Sequence, residues 1–432
     1  MKIIVQKFGG TSVSNHENRK LVVNKVLSSI KNGYSPIVVV SAMGRKGQPY
    51  ATDTLLSLIS DDLKEKNPLV TDSLMSCGEI ISTAVICDEL AELQINSVPL
   101  TGGQTGIITD ENYTNANRKF LFNTLADYLT DDVIEDPHKM QSVISLVKTT
   151  LKVETENIFN ILKQGKVPVV AGFQGISNGG FVTTLGRGGS DVTAALLGAA
   201  VNAEKIEIFT DVDGIMTADP RIVRDASLIE EISYNEVFQF ADQGAKVIHP
   251  RAVEIAMRAN IPLVIKNTMS ECNGTIICSN STEDSSSVIT GITHMKNRDQ
   301  IKISYEDNKD NNYYFEILDS LANNMISIDL INVFPKEKIF TIDHKDFKKF
   351  QSLMIKMKIK YTFLLNCSKI AIIGSRMRGI PGVMAKILRT LVRANIEVLQ
   401  TADSHTTIWC LVEDKDAEKA INALHKEFKL GQ

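Results

Sequence analysis

The chain has 432 residues, of which 43% are hydrophobic and 23% charged, the balance of an ordinary globular protein with room for two or three domains. Its net charge of −4 gives no electrostatic reason to expect nucleic acid as a partner. The N-terminus lacks the apolar core of a signal peptide, and no apolar run approaches the roughly 18–20 residues of a membrane helix. With six cysteines and no C-x-x-C pair, the sequence predicts a reduced, cytoplasmic protein without membrane contact.

Short runs rich in β-branched residues alternate with helical patterns over the first two-thirds of the chain. The clearest runs are Ile3–Val5, Ile37–Val40, Val167–Ala171 and Ile206–Phe209. Several of them lead into Gly, Ser or Thr and then into a helical stretch, which is typical of an α/β domain with a mostly parallel sheet covered by helices on both faces. Residues 117–163 are predicted to form two helices that pack on the outside and carry no chemistry.

The first motif, Lys-Phe-Gly-Gly-Thr-Ser at 7–12, comes directly after the first strand. Gly9 and Gly10 allow backbone N–H groups to approach phosphate oxygens closely, and the following helix adds partial positive charge. Lys7 could then place its ammonium on a transferring phosphoryl group. A tight turn with an exposed lysine would explain this short motif equally well. A Walker A pattern is missing, which disfavours a P-loop fold.

The second motif, at 183–191, reads Thr-Thr-Leu-Gly-Arg-Gly-Gly-Ser-Asp and leads into a helix of small residues. Arg187 offers a planar fork suited to a carboxylate. Ser190 and Asp191 stand at a helix start, where capping is their ordinary role. An arginine among three glycines goes beyond what capping needs, and we interpret the motif as functional.

Two further motifs follow. Thr210 and Asp211 end a predicted strand and enter a Gly- and Pro-containing loop, the kind of loop that forms ligand crevices at the carboxyl ends of parallel strands. Lys246 could reach a nucleotide phosphate, although a solvated lysine would be the default interpretation. His249 precedes a proline and is given a structural role. No His, Cys and Glu cluster has the spacing of a transition-metal site.

The C-terminal third begins after a polar run at 280–287, which is predicted to be a linker. An internal repeat with an offset of 70 residues then appears, in which Ile317, Leu318, Leu321, Ile326 and Ile328 match Ile387, Leu388, Leu391, Ile396 and Val398. Each copy predicts a helix (Phe315–Asn323; Ala385–Arg393) and a strand (Ile326–Ile331; Ile396–Gln400). A further strand follows in each (Ile339–Ile342; Ile408–Val412). Two copies of a small β-α-β-β module are the natural interpretation.

Taken in order, the motifs KFGGTS, VVVSAMG, SCGE, TTLGRGGSD, TDVDGIMTADPR and GAKVIHPRA resemble those of aspartate kinases, members of the amino-acid kinase family. The C-terminal repeat resembles a pair of ACT domains, which are small modules with a ferredoxin-like fold that bind amino-acid effectors. The resemblance implies an amino-acid kinase domain at 1–280, a linker at 281–288, and ACT modules at 289–363 and 364–432.

The resemblance also implies roles for individual residues. Lys7 and Asp191 are the expected catalytic pair, with Asp191 organising the lysine, and Gly9 and Gly10 are expected to supply phosphate-binding amides. The expected aspartate-binding residues are Thr52, Glu79, Arg187 and Ser190. Glu79 would hold the substrate ammonium and Arg187 a substrate carboxylate. The expected nucleotide-binding residues are Thr210, Asp211, Arg221 and Lys246, with Ser41 near the join of the two sites.

The implied reaction is phosphoryl transfer from ATP to the β-carboxylate of L-aspartate, with Mg²⁺ on the phosphates and no metal held by protein side chains. The implied control is feedback inhibition by lysine, diaminopimelate or threonine. The expected effector residues are Ile326, Asp329, Asn395 and Ile396. The first ACT copy departs from the family pattern, because residues 306–312 replace its Pro-Gly loop. Pairing of ACT modules predicts a homo-oligomer that is at least a dimer.

Two rival interpretations remain open at this stage. Another amino-acid kinase, acting for example on glutamate or acetylglutamate, would use the same sheet and glycine loops. A non-catalytic amino-acid sensor with a degenerate kinase domain is the second, and the intact Lys7 and Asp191 argue against it. The repeat could also be a dimerisation module without a ligand.

Overall fold

The computed structural model describes residues 1–109, 155–186, 188–242, 247–279, 288–304, 312–375, 377 and 380–431. The linker predicted at 280–287 and most of the helical stretch predicted at 117–163 lie outside these ranges. The chain divides into two compact units, each considered by itself. The first comprises the described residues of Met1–Ile215, Glu230–Phe238 and Lys246–Glu283, and the second those of Met216–Ile229, Gln239–Ala245 and Asp284–Gln432.

The first unit is built on an eight-stranded sheet with the order β3-β5-β2-β1-β8-β10-β11-β9. Its strands are β1 (Lys2–Phe8), β2 (Tyr34–Val40), β3 (Ser97–Leu100), β5 (Val167–Ala171), β8 (Lys205–Thr210), β9 (Glu231–Ser233), β10 (Leu263–Asn267) and β11 (Thr275–Cys278). The six strands from β3 to β10 run parallel, and only β11 and its neighbour β9 are reversed. All four predicted β-branched runs lie in these strands, so the α/β prediction is confirmed. A small second sheet contains β4 (Ile108–Thr109), β6 (Gln174–Ser177) and β7 (Val182–Thr184).

Helices cover the sheet of the first unit. They are α1 (His16–Lys31), α2 (Thr52–Leu56), α3 (Asp61–Lys66), α4 (Pro68–Glu92), α5 (Glu156–Lys163), α6 (Gly189–Val201), α7 (Tyr234–Asp242) and α8 (Pro250–Ala259). Val22 and Val26 of α1 pack with Ile86 and Leu90 of α4 in one buried cluster, against the apolar face of the central strands. Burial of this many β-branched and aliphatic side chains is the main driving force for the layered arrangement.

The helix α4 departs from one sequence expectation. Its 25 residues are long and apolar enough to cross a membrane by length and composition, whereas the sequence was expected to contain no such stretch. Half of its most apolar window is buried inside the protein, which is the pattern of a core helix. The helix also buries Asp72, Glu79 and Glu89, and ionisable side chains are expensive inside a bilayer.

The second unit contains a six-stranded antiparallel sheet with the order β13-β14-β12-β15-β17-β16. Its strands are β12 (Gly291–Ser304), β13 (Ile328–Val333), β14 (Glu337–Asp343), β15 (Thr362–Ile373), β16 (Gln400–Asp403) and β17 (Thr407–Glu413). Its helices are α9 (Asn312–Asn323), α10 (Phe347–Met357), α11 (Val383–Arg393) and α12 (Asp414–Glu427). Each copy of the repeat therefore carries a second helix and a further strand beyond the predicted β-α-β-β pattern.

The strand predicted at Ile396–Gln400 begins only at its last residue. Asn395 has a left-handed backbone (φ 51°), and the Ile396 N–H bonds back to the carbonyl of Leu391 at 3.0 Å. These residues therefore end helix α11 in a left-handed turn, a conformation that asparagine tolerates. In the first copy Met325 (φ 53°) and Ile326 make the same turn, so part of the repeat signal came from helix ends rather than strands.

The two long strands β12 and β15 tie the repeats together. Residues 298–304 of β12 pair with β14 of the first copy, while 291–295 pair with 369–373 of β15 in the second copy. The hydrophobic clusters divide in the same way: Ile301 packs with the first copy and Ile292 with the second. The boundary predicted between 363 and 364 falls inside β15.

One segment of the second unit comes from the middle of the chain. Residues 216–229 leave the end of β8 and return to β9, but Ala218 and Val223 pack in the cluster around Ile372 and Leu424. The buried His425 on α12 lies with its Nε2 2.9 Å from Thr217 Oγ1. The loop that the sequence assigns to nucleotide binding is thus partly built into the regulatory unit.

Candidate active site

The loops that carry the sequence motifs gather at the carboxyl edge of the parallel strands. Backbone hydrogen bonds continue the ladder beyond the strand ends: the Gly9 N–H donates to the Phe209 carbonyl (3.2 Å) and the Ser41 N–H to that of Phe8 (3.1 Å). The Gly172 N–H likewise donates to the Val40 carbonyl (2.9 Å). These bonds fix the first residue of each loop relative to its neighbour, at the edge where open α/β sheets bind ligands.

The role expected for Gly9 has to be changed. Its N–H is already bonded to Phe209, so it is not directed at a phosphate. Gly10 is required for a different reason: a Cβ at this position would lie 2.6 Å from the Ala42 carbonyl oxygen and 2.9 Å from that of Gly44. Such distances are below any real contact, and both atoms belong to backbone. Gly10 therefore lets the first loop and the loop after β2 touch.

Lys7 and Asp191 form an ion pair at this edge, with Lys7 Nζ 2.7 Å from Asp191 Oδ1. Their side chains are only 11% and 13% exposed, so the pair is screened little by solvent. Lys7 comes from β1 and Asp191 from the first turn of α6, which lies across the sheet. The residues that the sequence joined as a catalytic pair therefore meet in space.

The turn into α6 depends on Gly188. It has a left-handed backbone (φ 69°), and a Cβ there would lie 2.4 Å from the His249 ring. His249 is held as the N-cap of α8, where its Nδ1 accepts from the Arg251 N–H. The structural role expected for His249 therefore includes packing over this turn.

Replacing Gly188 by alanine is expected to lower both stability and activity. The left-handed conformation alone costs about 1–2 kcal/mol for a residue with a Cβ. The contact with His249 must also displace the turn that carries Ser190 and Asp191, so kcat/KM should fall by about tenfold or more. Gly180→Ala is the matched control, because Gly180 has a similar φ (82°) but open space around it. Equal activity of the two variants in a steady-state assay would contradict this interpretation.

Glu79 projects from α4 into the same edge. Its side chain is buried, and its Oε1 accepts from the Ala42 N–H at 3.1 Å. The other oxygen, Oε2, is also buried and has no hydrogen-bond partner among the described residues. Burial raises the pKa of Glu79 to about 8. A buried carboxyl with a vacant oxygen is suited to a ligand that brings its own positive charge.

The remaining residues expected to bind aspartate are placed as follows. Ser190 is buried at the start of α6, against Gly172 in the loop after β5. Thr52 is the first residue of α2, whose neighbour Tyr50 lies over Gly78 on α4. Arg187 lies outside the described residues.

The expected nucleotide residues are separated between the two units. Thr210 ends β8, and the exposed Asp211 after it bonds with Arg45 of the loop after β2 (2.5 Å). Arg221 belongs to the second unit, where it is exposed and paired with Asp219 at 2.6 Å. Lys246 lies outside the described residues.

The expected effector residues have mostly structural surroundings. The side chains of Ile326 and Ile396 are buried in the two hydrophobic clusters, so they could meet an effector only through their backbone. Asn395 ends a helix, as described above. Asp329 on β13 forms an ion pair with the buried Lys369 of β15.

Three residues that sequence reasoning missed complete the surroundings of the site. Asp72 and Arg45 make the long-range polar contacts described above and below. Phe173, in the loop after β5, has a left-handed backbone (φ 70°) that is rare for a bulky residue and typical of functional sites. Its only sequence signal was its position after a buried strand.

Comparison with known proteins agrees with this geometry. Residues 2–267 match the amino acid kinase family, and residues 365–426 match an ACT domain. Aspartokinase 1 of Bacillus subtilis (strain 168) is 41% identical over 437 residues, covering 100% of both chains. Two structures of E. coli aspartokinase III are each 25% identical. The complex with aspartate and ADP has a TM-score of 0.71 and covers 99% of both chains. The complex with lysine and aspartate has a TM-score of 0.73 and covers 99% of this chain and 100% of the other.

The chain therefore belongs to the amino acid kinase family, and within it to the aspartokinases with C-terminal ACT domains. Full-length coverage extends the match through both units.

Proposed function

We infer from this membership that the chain is an aspartate kinase, which transfers the γ-phosphoryl group of ATP to the β-carboxylate of L-aspartate and yields ADP and 4-phospho-L-aspartate. This is the first step of the aspartate pathway to lysine, threonine, methionine and diaminopimelate. The observation that carries the assignment at the level of the site is the Lys7–Asp191 pair, which shares the carboxyl edge of the sheet with the buried Glu79.

The chemistry asks for positioning and charge neutralisation. The attacking β-carboxylate is already ionised at neutral pH, so no protein base has to activate it. Lys7 neutralises the charge that develops on the transferring phosphoryl group, and Asp191 holds the ammonium in place at 2.7 Å.

We assign the aspartate site to Thr52, Glu79, Arg187 and Ser190. Glu79 takes the substrate ammonium, because its buried Oε2 is the vacant acceptor at this edge within the described part of the chain. Arg187 takes a substrate carboxylate through its planar fork. Ser190 and Thr52 complete the polar contacts.

We assign the nucleotide to the neighbouring loops. Gly10 brings backbone close to the phosphates, and Ser41 lies between the two substrates. Thr210, Asp211, Arg221 and Lys246 are the remaining nucleotide residues. Mg²⁺ is expected on the phosphates, where it would neutralise charge. No three His, Cys, Asp or Glu side chains form a metal-ligand group in the described ranges, which suits an ion held by phosphate oxygens and water.

We also propose feedback regulation through the ACT modules and a cytoplasmic homo-oligomer. Lysine is the first effector to test, because E. coli aspartokinase III has been solved with lysine bound. Diaminopimelate and threonine are the other candidates. An inhibitor acts only through its higher affinity for the less active state.

The decisive assay measures ADP release with ATP and Mg²⁺, comparing aspartate with glutamate. Turnover with aspartate and little with glutamate is expected, and the reverse would overturn the substrate assignment. Adding lysine, threonine and diaminopimelate at millimolar concentrations, singly and in pairs, tests the regulatory proposal. Unchanged activity in every mixture would contradict it.

The pH dependence of aspartate binding follows from Glu79. Because burial raises its pKa to about 8, the carboxyl is mostly protonated in the free enzyme at pH 7, whereas an ammonium ligand needs the carboxylate. Aspartate must therefore expel a proton, and its KM should fall as pH rises toward 8, by up to about tenfold per pH unit. Above that pH the KM should level off. A KM that is flat between pH 6 and 8 would contradict the assignment.

The same group links stability to pH in the unliganded protein. The pKa of Glu79 rises from 4.5 to about 8 on folding, so the folded state binds the proton more tightly. The resulting stabilisation is complete at low pH and is lost as pH rises toward 8. The difference in Tm between the wild type and Glu79→Gln should change across this window, as thermal melts at constant ionic strength can measure.

A further inference from the structure

The buried carboxylate of Asp72 is not explained by the roles assigned so far. It lies on α4 and is inaccessible to solvent. Its Oδ2 accepts from the Thr184 N–H at 2.8 Å, and its Oδ1 accepts from the Thr184 hydroxyl at 2.9 Å. An apolar side chain would pack a helix on a strand without the desolvation cost of a carboxylate. The polar pairing therefore points to a requirement for one defined arrangement.

This pairing joins the two elements that carry the two ends of the proposed aspartate site. Asp72 precedes Glu79 by two helical turns, about 10 Å along the axis of α4. Thr184 is the last residue of β7, directly before the turn that leads to Gly188 and Ser190. Both bonds of Asp72 are to one residue, so they fix the direction of that strand end as well as its distance from the helix.

A second contact supports the same alignment. Gln174 on β6, the strand beside β7, donates from Nε2 to the Ser76 carbonyl of α4 at 3.2 Å. Asp72, Ser76 and Glu79 share one face of the helix. Two rungs on this face therefore hold the small sheet, while the next position reaches the substrate edge.

We propose that Asp72 is a positioning residue for aspartate, one that sets the separation between Glu79 and the turn formed by residues 186–191. That separation must match the short distance between the ammonium and the carboxylates of the substrate. The proposal rests on the roles given above to Glu79, Arg187 and Ser190. Asp72 does not touch the substrate; it acts through the two elements that do.

The test compares Asp72→Ala with Glu89→Ala in steady-state kinetics and thermal melts. Glu89 is a matched control, because it is also buried on α4 and paired (with Arg19 at 2.8 Å), but on the α1 side. Both variants should lose stability. Only Asp72→Ala should raise the KM for aspartate, by about tenfold to a hundredfold, the effect of a misplacement near 1 Å, with the KM for ATP unchanged.

Conservative variants keep the test decisive if Asp72→Ala fails to fold. Asp72→Asn can still accept from the Thr184 N–H and donate to the hydroxyl, so its KM should stay near the wild-type value. Thr184→Val removes one of the two bonds and should raise the KM for aspartate, whereas Thr184→Ser should not. If Asp72→Ala and Thr184→Val lose only stability, with the KM for aspartate unchanged, the proposal is overturned.

The variant Glu79→Gln separates this proposal from the assignment beneath it. If that variant binds aspartate normally, the proposed site itself is wrong, and the Asp72 proposal falls with it. A raised KM in Glu79→Gln together with a normal KM in Thr184→Val and Asp72→Ala rejects only the positioning role.

Discussion

Replacing Lys7 with methionine is expected to lower kcat by about 10²–10³-fold, the usual effect of losing one preorganised charge-stabilising group. The methionine keeps the length and apolar stem of the side chain, so β1 should remain in the sheet. Asp191 would lose its partner at 2.7 Å in a largely buried setting, and some loss of stability should accompany the loss of turnover. Rapid-quench or coupled ADP-release measurements at saturating substrates would report kcat.

Lys2→Met is the matched control for this variant. Lys2 lies at the other end of the same strand, with its side chain 68% exposed and its ammonium 3.8 Å from Glu204. Exposed pairs of this kind contribute little, so both kcat and Tm should stay close to the wild type. Wild-type turnover in Lys7→Met with an unchanged circular dichroism spectrum would remove Lys7 from the mechanism.

The second large effect concerns Glu79→Gln, which should raise the KM for aspartate by about a hundredfold above pH 8. Losing the charge of a buried pair costs about 3 kcal/mol, and each 1.4 kcal/mol is tenfold in affinity. Glutamine can still accept from the Ala42 N–H, so the loss reports charge rather than packing.

The KM for ATP gives the internal control for Glu79→Gln, and it should not change. The difference between variant and wild type should also shrink at pH 6, where the wild-type carboxyl is itself mostly protonated. A similar KM for the two proteins at pH 8.5 would mean that the substrate ammonium is bound elsewhere.

Local patterns predicted the features that depend on neighbouring residues. The buried runs of β-branched residues became β1, β2, β5 and β8, and the glycine motifs fell at the carboxyl edge because parallel strands end there. Lys7 and Asp191 could be paired only through the family resemblance, since nothing in the spacing of 184 residues brings them together. The Asp72–Thr184 contact spans 112 residues and had no local signal at all.

Other differences arose where two structures share one sequence pattern. The Ile396 run looks like the start of a strand, but the left-handed Asn395 before it closes a helix instead. A glycine beside a strand end looks like an open amide, yet the Gly9 N–H completes the sheet ladder. In both cases a tertiary hydrogen bond decides between conformations that the local sequence allows.

The exchange of strand halves between β12 and β15 has a consequence for any shortened form of this protein. Ending translation after residue 363 would remove the partners of 291–295 and uncover the apolar side chain of Ile292. A bare edge with an oily face invites pairing with other molecules. Premature stop codons in this region should therefore yield aggregating polypeptides rather than a kinase freed from inhibition.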